Sequence, residues 1–210
     1  MTPTDPWSFG LNHLLTLIGF VITISIATAG FRTFGKWKRE KIEERRIDIA
    51  LDALSIAYEA DLIFQSIRSP LSVEPEWADM KGVDDPQRRR QAGPFFATLQ
   101  RLHHHRGYFE RALNAKPRFM AVFGRDAGEI FMTLLQARRN VEVAAEMLLR
   151  DAVQGMRDGN DEFQQKLRND VWDMKVEGNE ITTKVREFVR GVEKHCLPVV
   201  TLRLKTGKLK

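Results

Sequence analysis

Three adjacent histidines, His103, His104 and His105, are the most conspicuous residues in this chain that could do chemistry. Neighbouring helical positions point about 100° apart, so the three imidazoles cannot converge on one metal ion. The sequence also lacks the Glu-x-x-His pairs that hold di-iron centres in helical proteins. We therefore expect no metal and no cofactor, and we interpret the run as partly exposed polar surface that titrates near pH ~6.5.

Asp61 and Cys196 are the other side chains with suggestive surroundings. Asp61 lies on a largely apolar helical stretch, which is typical either of a perturbed acid or of an ion pair. We favour an ion pair with an arginine at the edge of the core, such as Arg138. Cys196 is expected to pack as a small hydrophobe, and a single cysteine excludes a disulfide scaffold. Since nucleotide-binding, zinc-protease and hydrolase motifs are missing, we expect that the protein is not an enzyme.

An uncharged apolar run from Leu14 to Phe31 dominates the N-terminal part of the sequence. Its eighteen residues cover about 27 Å as a helix, close to the roughly 30 Å of a bilayer's hydrocarbon core. Trp7 and Trp37 flank the run and fit the aromatic belts of membrane helices. We predict a membrane span that contains Leu14, Leu15, Ile18, Gly19, Phe20, Val21, Ile22, Ile24, Ile26 and Phe31.

A cleaved signal peptide is the alternative interpretation, because Ala27-Thr28-Ala29 resembles a cleavage site just after the apolar run. The leader, however, contains Asp5 and no Lys or Arg, whereas a signal peptide begins with positive charge. Basic residues that resist translocation follow the run directly, namely Arg32, Lys36, Lys38, Arg39 and Lys41. We therefore predict an uncleaved anchor with the N-terminus outside and the rest in the cytoplasm; a buried core helix is a third interpretation.

The net charge of +5 is concentrated in two short stretches. Residues 32–46 carry +4 and residues 203–210 carry +4, whereas residues 47–202 sum to −2. A nucleic-acid-binding domain shows a basic face on its own body, so we expect no nucleic-acid partner. We interpret the five basic residues after the span as a contact for lipid headgroups, although a solvated helix with Lys36–Glu40 and Arg39–Glu43 ion pairs is an equal alternative.

Small residues at Gly19, Thr23 and Ala27 recur every four positions within the span. Such a ridge lets two membrane helices approach closely, so it predicts self-association. The alternative is an ordinary lipid-facing surface.

The first helix after the span is predicted over residues 36–68 and ends at Ser69-Pro70. Its core face is predicted from apolar residues at spacings of three and four, which are Ile47, Leu51, Leu54, Tyr58 and Leu62. Residues 69–93 are interpreted as a long loop, in which Trp77 and Met80 indicate docking onto the domain or onto a partner.

Three further helices complete the prediction. The second begins at Pro94 and ends or kinks at Pro117. The third begins with a capping pattern at Asp126 and continues as a heptad seam of Ala127, Ile130, Leu134, Ala137, Val141, Ala144 and Leu148. The fourth covers residues 163–196, with a break at Gly178 and an end at Leu197-Pro198.

The predicted fold class is all-α, with one N-terminal transmembrane helix followed by an antiparallel bundle of four or five helices. We place the anchor at residues 1–35, the cytoplasmic bundle at 36–200 with its loop at 69–93, and a basic tail at 201–210. No stretch shows convincing strand alternation.

Three stretches carry a resemblance to known proteins: FGKWKREKIEERRIDIALDALSIAYEADLIFQSIRSP, GPFF at 93–96 and ARRNVEVAAEMLL at 137–149. They resemble a group of bacterial membrane-anchored helical proteins to which no function is assigned. The resemblance implies a bacterial inner membrane and supplies no activity or site.

Two functions are consistent with these features. The favoured one is a membrane-tethered interaction or scaffold protein that contacts membrane lipids and a protein partner or a second copy of itself. The alternative is a regulatory or accessory subunit that senses a ligand or pH through the bundle, with His103 to His105 and the loop as its moving parts.

Overall fold

The computed structural model describes residues 10–155, 161–174 and 178–206 of the chain. Within those residues the secondary structure is helical throughout, which confirms the all-α prediction. The elements are α1 (Leu11–Ile67), a 3₁₀ turn (Glu74–Trp77), α2 (Pro86–His104), α3 (Arg106–Phe123), α4 (Arg125–Gly128), α5 (Ile130–Gln154), α6 (Asp161–Val171) and α7 (Glu180–Thr206). The chain divides into two compact units, residues 1–45 and 46–210.

Helix α1 continues without interruption from the apolar run into the first amphipathic segment. No proline occurs between Leu11 and Ile67, so the backbone hydrogen bonds can continue over all 57 residues. The helix ends before Ser69-Pro70, as predicted, because proline restricts the residue that precedes it.

The buried face of α1 differs from the predicted one. Of the five residues assigned to it, only Leu54 is buried and Ile47 is partly buried, while Leu51, Tyr58 and Leu62 are 48%, 52% and 69% exposed. The core is instead contacted by a face rich in alanine, namely Ile49, Ala50, Ala53, Ile56, Ala57, Ala60, Phe64 and Ile67. The four alanines of this face let neighbouring helices approach closely, and Ile49, Ile56, Phe64 and Ile67 fill the core around them.

The loop after α1 is shorter than predicted, because α2 begins at Pro86 and not at Pro94. The Asp85 carboxylate caps this helix by accepting a hydrogen bond of 2.8 Å from the backbone N–H of Gln87. Pro86 occupies the first helical position, where a missing N–H costs nothing. Pro94 lies inside the helix, so the prediction for residues 69–93 is corrected to a connection of residues 68–85 that contains one 3₁₀ turn.

The second predicted helix is two helices, and its break lies at His105 and not at Pro117. His105 has φ −87° and ψ 9°, outside the helical region, whereas Pro117 lies within α3. Gly124 ends α3 with φ +98°, a conformation that favours glycine. Asp126 lies in the separate short helix α4, so the predicted capping pattern at the start of the third helix is wrong.

The predicted heptad seam is confirmed in α4 and α5. Six of its seven residues are buried, and the seventh, Ile130, packs against the core from its edge. Gly178, with φ +79°, lies in the predicted break between α6 and α7. The predicted end at Leu197-Pro198 is wrong, because α7 continues to Thr206 and Val200 still packs against the core.

The main core of residues 46–210 combines side chains from α1, α3, α5 and α7. Phe131 lies at its centre, with ring centroids 5.3 Å from Phe119 and 5.4 Å from Phe188. A second cluster joins Phe95 of α2 to α5 and α6, and Phe95 stacks on Trp172. The predictions for Trp7 as a membrane-flanking aromatic residue and for Lys208 and Lys210 in the basic tail concern residues outside the described part of the chain.

Candidate functional site

The apolar part of α1 has an uncovered surface. Starting at His13, the helix is long and apolar enough to cross a membrane, and none of its most apolar window is buried. Its large side chains are 46% to 77% exposed from Leu14 to Phe31. Burial of one such side chain is worth about 1.5–3 kcal/mol, so leaving ten of them in water costs more than a domain's net stability. This segment therefore needs an apolar environment that residues 10–45 do not supply.

The hydroxyl groups of this segment are satisfied within the helix. Thr23 donates to the carbonyl of Gly19 at 2.9 Å, Ser25 to Val21 at 2.7 Å, and Thr28 to Ser25 at 2.9 Å. A polar group in hydrocarbon must find its partner inside the protein, because no water is available. These bonds make the segment compatible with a bilayer core.

The predicted small-residue ridge lies on an open face of the helix. A Cβ atom added to Gly19 would meet nothing within 4 Å. Thr23 turns its hydroxyl back to the backbone. Together with Ala27, these residues leave room for a second helix to approach.

All five predicted lipid-surface residues, Arg32, Lys36, Lys38, Arg39 and Lys41, are exposed on α1. Two of them form ion pairs along the helix, Lys36 with Glu40 at 3.9 Å and Lys41 with Glu44 at 2.7 Å. Trp37 lies beside Phe34, with ring centroids 5.8 Å apart. Sequence reasoning missed Phe34, although its spacing of three from Trp37 was the signal.

In the second unit, Arg68 is a buried cation that the sequence analysis missed. Its guanidinium donates to the carbonyls of Asp170 at 3.0 Å, Asn169 at 2.8 Å and Trp172 at 3.2 Å, and to the hydroxyl of Thr182 at 3.1 Å. It thereby caps the C-terminal end of α6, where a positive charge is favourable. Burial lowers the pKa of Arg68, and nearby Asp173 and Asp170 partly offset that effect. The only sequence signal was its place before Ser69-Pro70.

The loop after α1 is fastened to α2, which confirms docking of Trp77 and Met80 onto the domain. Arg101 binds both carboxylate oxygens of Glu76 at 2.7 Å and also the carbonyls of Ser69 and Leu71. The hydrogen bonds from Arg101 keep the pKa of Glu76 low. Met80 is buried against α2 and α5. The Trp77 ring rests on Gly93, where an added Cβ would lie 2.7 Å from a ring carbon.

The three histidines line an open cleft at the break between α2 and α3, with Ser66, Glu76, Gln100 and Arg101. His105 Nε2 lies 3.3 Å from the Ser66 hydroxyl. Burial, with the neighbouring His104, lowers the pKa of His105. Within the described residues no group of three or more His, Cys, Asp or Glu is placed to hold a metal ion.

The predictions for Asp61 and Cys196 have opposite outcomes. Asp61 is exposed, and Arg138 pairs with Glu142 at 3.1 Å while its guanidinium lies over the Phe109 ring, so the predicted Asp61–Arg138 pair is wrong. The rotation of α1 that buries its alanine face explains the exposure of Asp61. Cys196 is fully buried, as predicted, and burial raises the pKa of its thiol to about 12.

Comparison with known proteins identifies no relative: no family model, no curated protein and no solved structure matches the chain. The resemblance to bacterial membrane-anchored proteins therefore stays a prediction.

Proposed function

We propose that the protein is a membrane-tethered helical interaction or scaffold protein. The N-terminal part of α1 crosses the inner membrane of a bacterial cell once. Residues 46–210 form a cytoplasmic domain that presents its surface to a protein partner or to a second copy. The observation that carries this proposal is the uncovered apolar segment of α1 with its internally satisfied hydroxyls.

The proposed orientation places the N-terminus outside and the domain in the cytoplasm. It rests on the basic residues that follow the span, because such residues are retained on the cytoplasmic side. A reporter enzyme fused after Lys210 tests it: we expect activity only with a cytoplasmic reporter. Activity of an exported reporter at that position would reverse the topology, and release of the protein by alkaline carbonate would exclude the span itself.

We further propose that the domain is an antiparallel bundle. At the start of its domain portion, α1 contacts the end of α3 through Arg46 and Phe123, and at its end it contacts the start of α3 through Ser66 and His105. Between α3 and α5, Phe119 contacts Phe131 and Phe109 contacts Arg138, so the end of α3 again lies beside the start of its neighbour. These contacts support neighbouring helices that run in opposite directions.

The partner surface that we propose is the exposed apolar stripe of Leu51, Tyr58 and Leu62 on α1. Three large apolar side chains at spacings of seven and four form one continuous face of a helix. Such a face in water is typical of an interaction site. The loop residues Leu71 and Val73, which are 80% and 60% exposed, are a second candidate for the same role.

Affinity purification of the full chain from native membranes tests this surface. We expect a specific partner, identified by mass spectrometry, that is lost from Leu51→Ser/Leu62→Ser and retained by Leu113→Ser, an equally exposed control on α3. Leu71→Ser/Val73→Ser tests the loop without removing any part of α2. If all variants recover the same proteins as the unchanged chain, neither surface binds a partner.

The alternative function, a sensor of ligand or pH, is favoured by one observation. His105 lies at the break between α2 and α3, contacts Ser66 of α1 and has a lowered pKa. Protonation there would affect the junction of three elements. A domain whose thermal stability does not change between pH 5.5 and 7.5 would exclude it.

A further inference from the structure

Residues 31–45 of α1 carry two chemically different faces. Successive residues of a helix are about 100° apart, so positions separated by three, four, seven or eleven fall on the same side. One such side contains no acidic residue and spans about 100° of the helix. We call it the acid-free face, and its members are Phe31, Phe34, Lys38, Lys41, Ile42 and Arg45.

The acidic residues of this stretch are confined to the opposite side. Glu40, Glu43 and Glu44 lie within an arc of about 100° that is centred away from the acid-free face. Arg32, Lys36 and Arg39 lie beside or among them. The acid-free face therefore carries +3, while the remaining charged residues of this stretch cancel. Of the five basic residues that the sequence assigned to lipid, only Lys38 and Lys41 lie on this face.

The acid-free face is uncovered in this unit. Phe31, Phe34 and Ile42 are 77%, 60% and 56% exposed. Lys38 and Arg45 have no acidic partner in the described part of the chain, and Lys41 pairs with Glu44 at the edge of the face. The face thus combines exposed apolar side chains with three cations, of which Lys41 forms an ion pair with a side chain of the same helix.

We propose that the acid-free face lies against the headgroups of an anionic lipid leaflet. Lys38, Lys41 and Arg45 extend toward lipid phosphates, Phe34 inserts at the boundary with the acyl chains, and Ile42 faces the headgroups. This inference rests on the proposed membrane anchor and adds to it a rotational orientation and a lipid class. Charge complementarity selects the occupant, because a face of +3 repels a second copy of itself and attracts anionic headgroups.

The proposal also requires the helix to tilt toward this face. Ile42 lies eleven residues after Phe31, which is about 16 Å along the axis. A headgroup layer is only about 6 Å thick, so a helix along the bilayer normal would carry Ile42 past it. Membrane helices tilt by up to about 40°, which reduces this rise to about 12 Å. On the underside of a tilted helix, the acid-free face lies closer to the headgroups than the helix axis does, and the long stems of lysine and arginine extend the reach of their charges.

Labelled single-site variants of the full chain test the orientation. Ile42→Cys and Glu43→Cys lie at nearly the same depth but about 100° apart, the first on the acid-free face and the second among the acidic residues. The buried thiol of Cys196 leaves the new cysteine as the reactive one. Each variant is labelled with an environment-sensitive fluorophore and reconstituted into phosphatidylcholine vesicles with about 30% phosphatidylglycerol. We expect headgroup-level quenchers to quench position 42 at least about twofold more strongly than position 43.

A matched pair of charge variants tests the role of the cations. Lys38→Gln/Arg45→Gln and Lys36→Gln/Arg39→Gln remove the same charge from opposite faces. We expect the first pair of substitutions to abolish the difference in quenching between labels at positions 42 and 43. The second pair should leave that difference intact. The difference should also shrink in pure phosphatidylcholine and at about 1 M salt, where the Debye length is only about 3 Å.

A third label separates this inference from the anchor itself. Ile24→Cys lies in the middle of the proposed span and should be quenched by probes deep in the bilayer. If it is quenched while positions 42 and 43 respond equally, the orientation is wrong and the anchor stands. If position 24 is not quenched, the anchor fails. If the label at position 42 is shielded from water-soluble quenchers with or without anionic lipid, and if cross-links form between copies, the face binds a second copy.

Discussion

Arg68 shows how one side chain can hold several helix ends together. It is 2% exposed, and its donors bind backbone carbonyls at the end of α6 and a hydroxyl at the start of α7. Its own carbonyl accepts the N–H of Asp173 at 3.0 Å. Carbonyl groups at a helix C-terminus lack partners within the helix, so the guanidinium replaces bonds that would otherwise be missing.

Replacing this arginine should therefore destabilise the domain strongly. We expect Arg68→Met to lower the free energy of unfolding by about 3–5 kcal/mol, because it leaves buried carbonyls unsatisfied. Urea unfolding of the full chain in detergent, followed by circular dichroism, measures this. The control is Arg90→Met, at an exposed position of α2, which should cost less than about 0.5 kcal/mol. Equal losses from both variants would contradict the role of Arg68.

His105 links stability to pH. Because its pKa is lower in the folded protein, the unfolded chain binds the proton more readily, and stability should fall as pH drops below about 6.5. We expect a lower melting temperature at pH 5.5 than at pH 7.5, and a smaller difference in His105→Asn. His103→Asn, on the exposed side of the same cleft, is the control. A difference that persists unchanged in His105→Asn would assign the dependence to other groups.

At the scale of elements, the contact of Trp77 with Gly93 explains how the loop is fixed to α2. We expect Gly93→Ala to lower the free energy of unfolding by about 1–2 kcal/mol, because the new methyl group collides with the ring and forces it to shift. The matched control is Gly107→Ala in α3, where the space is open and alanine should stabilise by about 0.5 kcal/mol. Urea titrations followed by tryptophan fluorescence compare the two. A higher free energy of unfolding in both variants would mean that the Trp77 ring moves aside at no cost.

The small-residue ridge of α1 makes a second prediction at this scale. If two spans associate through Gly19, Thr23 and Ala27, then Gly19→Leu should reduce the dimer fraction at least about tenfold, because its side chain separates the backbones. Sedimentation in detergent measures the association. Val21→Leu, on the opposite side of the helix, is the control and should leave it unchanged. An unaltered dimer in Gly19→Leu would show that the ridge faces lipid.

At the scale of the whole molecule, the two units should be separable. Every buried hydrophobic residue of the described chain lies at Ile49 or beyond, so residues 46–210 contain a core of their own. We expect a fragment of these residues to remain helical, to unfold cooperatively and to partition into water. Circular dichroism and detergent phase separation measure this. A fragment that aggregates or lacks a cooperative transition would mean that the anchor contributes to the fold.

The sequence by itself determined the features that depend on local composition and periodicity. The uncharged run from Leu14 to Phe31 predicts a span from length and hydropathy alone. The heptad seam around Val141 predicts a buried helix because every second turn repeats the same apolar face. The break at Gly178 follows from the backbone freedom of glycine. Each of these signals lies within a few turns of chain.

Only the tertiary structure decided which faces and ends those helices present. Leu51 and Leu62 are large and apolar, yet α1 buries its alanines because close packing between helices favours small side chains. Pro94, Pro117 and Pro198 look like helix ends, but packing on both sides outweighs one lost hydrogen bond. Arg68 binds carbonyls of residues about one hundred positions away, and no local pattern encodes a partner at that distance.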